Sequence, residues 1–324
     1  MKSPAEFEVF YEKTLRPYTE ELARQLESAR NTALTIFGIL ALVAATCALL
    51  LKGSQFHGPI AIGAAIAAIG IPLLVYFWKK SSINLSFKHQ VVKQIVSFLE
   101  PGLSYEPENF IGESAFRASQ IFTHSIDRYK GEDMVSGKHG NVALSFSEIH
   151  AEYKTTTRDS KGRSHTTWHT IFKGVFLIAD FNKEFRTTTV IVPDIAESSF
   201  GSLIGNFLQK MNPSRPGQLV KLEDPQFEKL FAVYGEDQVE ARYLLSPAMM
   251  SRIMKLRERL GSQLSLSFTG SKLHMAIETK SNLFEMNSGC LESAAGLMQI
   301  GLDLCSLVEI VEDLDLETRI WTKT

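Results

Sequence analysis

Two histidines, His165 and His169, are candidate metal ligands. They lie four residues apart in a threonine-rich stretch of the sequence. On a β-strand, residues four apart point to the same face. If a hairpin is centred on residues 160–161, Glu152 faces His169 across the two strands. Two imidazoles and a carboxylate can bind a divalent metal ion. The alternative is ordinary cross-strand pairing of solvated side chains at an exposed hairpin tip, which is the commoner use of such residues.

A second candidate is a basic helix predicted over residues 247–260. Its methionines and other apolar residues fall on one side, and its positive charges lie largely opposite. Such a helix can bind anionic lipid or an acidic partner. The alternative is that it packs its apolar side into the core and leaves the charges in water. The four cations are Arg252, Lys255, Arg257 and Arg259.

Motifs of common catalytic chemistries are absent from the sequence. Residues 161–163 lack the spaced glycines and the Lys-Ser/Thr pair of a phosphate loop, and neither GxSxG nor HExxH occurs. Cys47, Cys290 and Cys305 form no CxxC pair, which gives no zinc signal. We therefore predict no cofactor and no metal beyond the weak candidates above. A catalytic triad assembled only by folding leaves no such trace, so a membrane-bound enzyme, such as a hydrolase, stays open as the alternative.

The formal net charge of −2 and the sequence pI of about 6.5 argue against a nucleic-acid partner. This average conceals a local bias, because Lys52 is the only charged residue between Arg30 and Lys79. Residues 32–51 and 59–78 are two uncharged stretches of twenty residues each. At about 1.5 Å per residue, each helix spans roughly the 30 Å of a bilayer core. We predict a transmembrane helical hairpin over residues 32–78.

The basic residues near these stretches predict the orientation of the hairpin. Arginines precede the first stretch and lysines follow the second, whereas the short connector holds only Lys52. The positive-inside rule then places both termini in the cytoplasm. Two helices without an intramembrane charge offer no ion path, which argues against transport.

Residues 1–31 form the predicted N-terminal arm. Ser3, Pro4 and Glu6 have the form of a capping box, and apolar residues follow at steps of three or four. Pro17 should bend or break the helix. An amphipathic helix of this kind packs on the protein's own domain, or it serves as a short arm for a protein partner or a second copy.

Residues 79–324 are predicted to fold as a cytoplasmic α+β domain with a mainly antiparallel sheet and flanking helices. A last helix over residues 291–311 is apolar, but its carboxylates predict a core helix rather than a third membrane span. The other predicted helices cover residues 89–99, 113–122, 198–211 and 247–260; the predicted strands cover residues 141–157, 165–181, 184–192, 218–222, 238–245, 264–268 and 273–278.

The order of these parts resembles an uncharacterised bacterial family of two-span membrane proteins, domain-of-unknown-function family 3137. The likeness lies in the arm, the tight hairpin and three later segments. The resemblance implies a bacterial inner-membrane protein and supplies no site residues, because the family has no assigned activity. The segments are FKGVFLIADFNKEFRTTTVIVPD at 172–194, FEKLFAVYGEDQVEARYLLSPAMMSRIMKL at 227–256 and LSLSFTGSKLHMAIE at 264–278.

The anchor, the arm and the missing motifs together favour a membrane-anchored binding or scaffold module over an enzyme. Its expected ligand is a protein partner or a lipid headgroup on the cytoplasmic side.

Overall fold

The computed structural model describes residues 3–50, 57–159, 161–194, 217–261 and 263–316. The chain divides into two compact units. The first unit comprises Met1–Ile95 and Phe284–Ile300, and the second comprises Val96–Leu283 and Gly301–Thr324.

The first unit is helical, and its first helix begins at the predicted capping box. The Ser3 hydroxyl accepts a hydrogen bond from the Glu6 amide (3.3 Å), and the Glu6 carboxylate accepts one from the Ser3 amide (2.7 Å). Helix α1 (Pro4–Phe10) passes through a π-helical turn (Tyr11–Leu15) into α2 (Arg16–Leu50). This turn ends two residues before Pro17, and the helix widens there instead of breaking.

The second long helix is longer than predicted. Helix α3 (His57–Phe87) continues through a π-helical turn (Lys88–Val92) into α4 (Lys93–Leu99). The helix predicted over residues 89–99 is therefore confirmed, but it continues α3 instead of starting as a new helix. Residues 79–99 contain neither proline nor glycine, so nothing in the chain ends the helix before Leu99.

Helices α2 and α3 pack against each other and leave most of their apolar side chains exposed. Ala68 is buried between them, whereas Leu42 and Leu74 are each 71% exposed. Among the described residues, three helical stretches are long and apolar enough to cross a membrane: Pro4–Leu50, Gly58–Leu99 and Ala294–Asp313.

A later part of the chain returns to the first unit and packs on the end of α3. The Lys88 ammonium is buried and lies 3.4 Å from the Glu285 carboxylate. The Asn84 side chain donates to Glu285 (2.9 Å) and accepts from the Met286 amide (3.1 Å). A buried charge is stable only when it is paired, so these contacts hold the return segment in place.

The second unit is built on an antiparallel sheet of seven described strands. The order is β1-β2-β3-β4-β6-β5, and β7 pairs with the other edge of β4. The predicted α+β class is therefore confirmed. The strands are β1 (Leu103–Glu106), β2 (Arg128–His139), β3 (Val142–Arg158), β4 (Ser164–Pro193), β5 (Gln218–Leu219), β6 (Phe231–Gly235) and β7 (Leu264–Glu278).

Two predicted turns are wrong, because β4 and β7 are each a single long strand. The turn predicted at residues 182–183 is part of β4, which runs for 30 residues. The hairpin predicted around Gly270 is part of β7, which pairs with β4 on both sides of that glycine. Register shifts in β4 beyond Asp180 let the two strands bend together instead of folding back.

The strand predicted over residues 238–245 is also wrong. These residues form a helix because the Asp237 side chain accepts hydrogen bonds from the amides of Val239 (2.7 Å) and Glu240 (3.1 Å), which caps the first turn. Strands β1, β2 and β6 were not predicted, and the helix predicted over residues 198–211 lies outside the described residues. The remaining helices are α5 (Glu113–Ala118), α6 (Pro225–Leu230), α7 (Gln238–Leu244), α8 (Pro247–Leu260), α9 (Ser288–Glu292), α10 (Ala294–Val308) and α11 (Ile310–Asp313).

The core of the second unit lies under α5 and is rich in aromatic rings. The Phe116 ring stacks on Phe122 (centroids 5.1 Å apart) and lies 4.9 Å from the Phe176 ring. Aliphatic residues of β3, β4 and β7 complete this core. One face of the sheet is thus covered by a short helix and the loop that follows it.

Candidate functional site

The histidines of the predicted metal site lie on the exposed end of the β3–β4 pair, in a register one residue from the predicted one. Tyr153, not Glu152, is opposite His169, and Thr157 is opposite His165. The turn is centred on residue 161 because the Asp159 side chain accepts hydrogen bonds from the amides of residues 161 and 163 (2.9 and 2.8 Å). The predicted register is therefore wrong.

This register separates Glu152 from the two histidines. Neighbouring residues of a strand point to opposite faces, so Glu152 lies on the face away from His169. The Glu152 carboxylate pairs with Arg128 (3.0 Å), and His169 Nε2 lies 2.9 Å from the Thr155 hydroxyl. His165 Nε2 lies 3.6 Å from the Asp159 carboxylate. The structure does not bring the three predicted ligands together.

The basic helix α8 uses two of its four cations to hold the C-terminal segment of the second unit. The Arg252 guanidinium donates to the Asp315 carboxylate (2.8 Å). Arg259 lies 2.6 Å from the Asp313 carboxylate and 3.6 Å from that of Glu309. The buried residues of the helix are Met249, Met250, Ile253 and Leu256.

The other two cations, Lys255 and Arg257, line an open groove of about 630 Å³ beside α8. The Arg257 guanidinium lies 5.5 Å from the centre of the Phe231 ring. Each cation, with neighbouring amide and hydroxyl groups, can bind a carboxylate or a phosphate. The groove is lined by Gln226, Leu230, Ser251, Met254, Lys255, Arg257, Glu258, Gly261 and Gln263.

A cluster of carboxylates that the sequence did not reveal lies where β2 bulges. One oxygen each of Glu132, Asp133 and Glu148 lies within 4.8 Å of the others. The Tyr105 hydroxyl donates to Asp133, and the Leu283 amide donates to Glu148. Burial and the adjacent Asp133 charge raise the pKa of Tyr105 above its usual range, so the phenol stays protonated. Strand β2 was not predicted, so the sequence did not show that the acids at residues 132–133 lie close to Glu148.

A buried histidine on β7 was also missed. His274 is 3% exposed, and burial together with the nearby Lys272 lowers its pKa to about 4. Its Nδ1 atom has no hydrogen-bond partner among the described residues. The imidazole is therefore neutral at physiological pH, and Ser267 supplies the backbone hydrogen bond. The alternation of β7 gave no sign that a polar residue occupies a core position.

Most of the second unit, including the groove and α8, lies in a range that matches a known family model. Residues 170–316 match the model of DUF3137, "Protein of unknown function". The resemblance drawn from the segments beginning at Phe172, Phe227 and Leu264 is confirmed over this range. DUF3137 has no activity in its description, so the match assigns no role to the groove or to the acidic cluster.

No curated protein matches the chain. Among solved structures, the chain is similar to the crystal structure of the mycobacterial trehalose monomycolate transport factor A, TtfA. That similarity has a TM-score of 0.35 and 10% sequence identity, and it covers 68% of this chain and 93% of the other. At this TM-score the similarity carries no argument about fold or function.

Proposed function

We propose that this chain is a membrane-anchored binding or scaffold module of the bacterial inner membrane. The observation that carries the proposal is the outward-facing apolar surface of α2 and α3. Leu42 and Leu74 are each 71% exposed, and Trp78 is 74% exposed. Soluble monomers rarely expose contiguous apolar patches above a few hundred Å². Burial in lipid removes this apolar surface from contact with water, and the Trp78 ring suits the membrane interface.

A contact between Thr32 of α2 and Lys79 of α3 supports a hairpin with both termini in the cytoplasm. The Lys79 ammonium donates to the Thr32 hydroxyl (3.3 Å), so the start of the first apolar stretch lies beside the end of the second. Basic residues gather at this end, and the positive-inside rule then assigns it to the cytoplasm. Residues 79–324 would form a cytoplasmic domain.

Membrane fractionation of the full chain tests the anchor. We expect the protein to stay in the membrane pellet after alkaline carbonate washing and to be released only by detergent. A monodisperse protein in the supernatant without detergent contradicts the anchor and the orientation together.

The module's binding surface, in this proposal, is the groove beside α8. Within the described residues, Lys255 and Arg257 form no ion pair with a carboxylate, unlike Arg252 and Arg259. An anionic lipid headgroup or an acidic protein segment would supply the missing counter-charge. The N-terminal arm, with Val9 53% exposed and Tyr18 40% exposed, is the proposed contact for a protein partner or a second copy.

Lipid retention in neutral detergent tests the groove, with phosphatidylglycerol as the probe. Native mass spectrometry of the full chain should count at least one bound phosphatidylglycerol fewer in the Lys255→Gln, Arg257→Gln double variant. The matched control is Lys161→Gln with Arg163→Gln, which removes two exposed cations elsewhere and should leave retention unchanged. Equal retention by all three proteins excludes the groove as a headgroup site.

A further inference from the structure

The exposed end of the β3–β4 pair is a two-stranded ribbon, and neither of its edges pairs with another described strand. Five residue pairs, from Lys154–Trp168 to Arg158–Ser164, extend beyond the rest of the sheet. Strand β2 ends at Arg128, opposite Glu152, and no other strand in the described part of the chain pairs with this stretch. At about 3.4 Å per residue, the ribbon is roughly 15 Å long.

The ribbon keeps its shape without a hydrophobic core of its own. Its tip is closed by the Asp159 hydrogen bonds, and Gly162 takes a φ of +76° in the turn. At its base, the Tyr153 ring stacks between His124 and His169, with centroids 4.8 Å from each. An isolated two-stranded hairpin is marginally stable in water, so this anchoring is needed to present it.

The free edge of β4 has outward-pointing backbone groups in a regular row. The Lys154 amide points away from β4, because it donates to the Asp127 side chain (2.9 Å). In an antiparallel pair, directly opposite residues both face inward or both face outward. Trp168, opposite Lys154, therefore directs its amide and carbonyl outward, and so do Thr166 and Ser164 at two-residue steps. Such a row is a template for one more strand.

The side chains of these residues share a face with two of the ribbon's cations. Lys154 and Arg158 are directly opposite Trp168 and Ser164, and opposite residues of an antiparallel pair point to the same face. The Arg128 guanidinium covers the Trp168 ring at 3.8 Å. Residues 153–170 hold four Lys or Arg and one Asp, although the whole chain has a net charge of −2. The Lys154 ammonium lies 3.9 Å from the Asp127 carboxylate, and the ribbon stays positively charged with that acid included, so it complements a negatively charged strand.

We propose that the edge Ser164–Trp168 of β4 docks an acidic, extended segment of a partner protein by strand addition. The main-chain groups of Ser164, Thr166 and Trp168 pair with the segment. Acidic side chains of the segment that lie opposite Ser164 and Trp168, four residues apart, face Arg158 and Lys154. Threonines on the flanking positions suit an added strand, since β-branched residues are favoured in sheets. This surface is independent of the groove beside α8.

The test uses the full chain in neutral detergent and a short fluorescein-labelled peptide of alternating valine and glutamate. Fluorescence anisotropy should show saturable binding, and a peptide of alternating valine and lysine should not bind. Thr166→Pro removes an outward amide from the β4 edge and keeps the ribbon's charge, so affinity should fall about tenfold or more. Thr156→Pro is the matched control on the opposite edge, where the outward amide belongs to β3; it should bind as the wild type does.

The remaining outcomes also decide the proposal. Lys154→Glu with Arg158→Glu should abolish binding while the circular dichroism spectrum stays unchanged. If that variant loses binding but Thr166→Pro does not, the contact is general attraction to anions, and strand addition is excluded. Binding of the wild type to phosphatidylglycerol vesicles or duplex DNA with no binding to the acidic peptide also overturns the proposal.

Discussion

His274 is a base buried among apolar side chains, and its surroundings determine how the fold responds to acid. Phe176 (ring centroids 6.2 Å apart) and Ile178 lie on β4 beside it, and Lys272 adds a positive charge on its own strand. The hydrogen bond to the Ser267 backbone favours an imidazolium, but burial and the Lys272 charge outweigh it. Protonation is therefore easier in the unfolded chain, where the pKa is near the ordinary 6.5, than in the fold, where it is about 4.

Acidification should thus destabilise the second unit through this residue. The stability that comes from keeping His274 neutral is fully present above about pH 6.5 and is lost as the pH falls toward 4. From about pH 8 to about pH 5 the loss is about 2 kcal/mol. Thermal unfolding of the detergent-solubilised chain should show this loss, and His274→Leu should reduce it. An equal pH dependence in both proteins would place the acid sensitivity elsewhere.

Close backbone contact between the paired strands β4 and β7 leaves no room for a side chain at Gly174. Gly174 has a φ of +153°, and a Cβ atom on it would lie 2.1 Å from the Ile277 carbonyl oxygen and 2.7 Å from the Thr279 amide. Both atoms belong to the backbone and cannot move without separating the strands. The glycine is thus required by the packing of one strand on another.

Gly174→Ala should therefore cost about 3 kcal/mol or more and lower the yield of folded protein. Gly162→Ala is the matched control, since that glycine also has a positive φ (+76°) but no atom lies within 4 Å of its added Cβ. The control should cost only about 1 kcal/mol of backbone strain. Circular dichroism melting of the two variants compares them, and similar melting temperatures would contradict the role given to Gly174.

Local signals in the sequence predicted some elements correctly and others not, for physical reasons. The capping box at Ser3 and the start and stop of α8, at Ser246 and Gly261, depend on neighbouring residues and were correct. The turns expected at residues 182–183 and around Gly270 were wrong, because pairing between β4 and β7 overrides the local turn preference. Long-range pairing of this kind has no signature within a short window of sequence.

The candidate sites were harder to predict than the elements. Arg252 and Arg259 were correctly placed on a helix, but their carboxylate partners lie more than fifty residues away in sequence and could not be found by spacing. The acidic cluster depends on the β2 bulge, where Asp133 takes a φ of +62°. The β3–β4 register differs by one residue from the predicted one, and this difference separates Glu152 from His169. Sites built from distant segments thus depend on tertiary pairing, whereas a membrane anchor can be predicted from local composition.

At the scale of the whole molecule, the proposed anchor makes opposite predictions for one substitution in water and in lipid. Leu42 is exposed, so Leu42→Arg should leave a water-soluble protein unharmed or more soluble. In a bilayer, an arginine near the middle of a span costs about 2.5–3.5 kcal/mol on insertion scales. We expect the variant to show reduced recovery in the carbonate-washed pellet. Unchanged recovery would contradict placement of residues 32–51 across the membrane.

The pairing of β4 also dictates an order of events during biosynthesis. On the ribosome, β3 and β4 emerge one after the other and can pair at once. The other edge of β4 at Leu177 stays unpaired until Met275 of β7 has been translated. Nearly a hundred residues are translated in that interval, and during it the apolar edge of β4 is exposed. Nascent chains stalled before β7 is made should therefore recruit chaperones, and release of those chaperones should coincide with the arrival of this final strand.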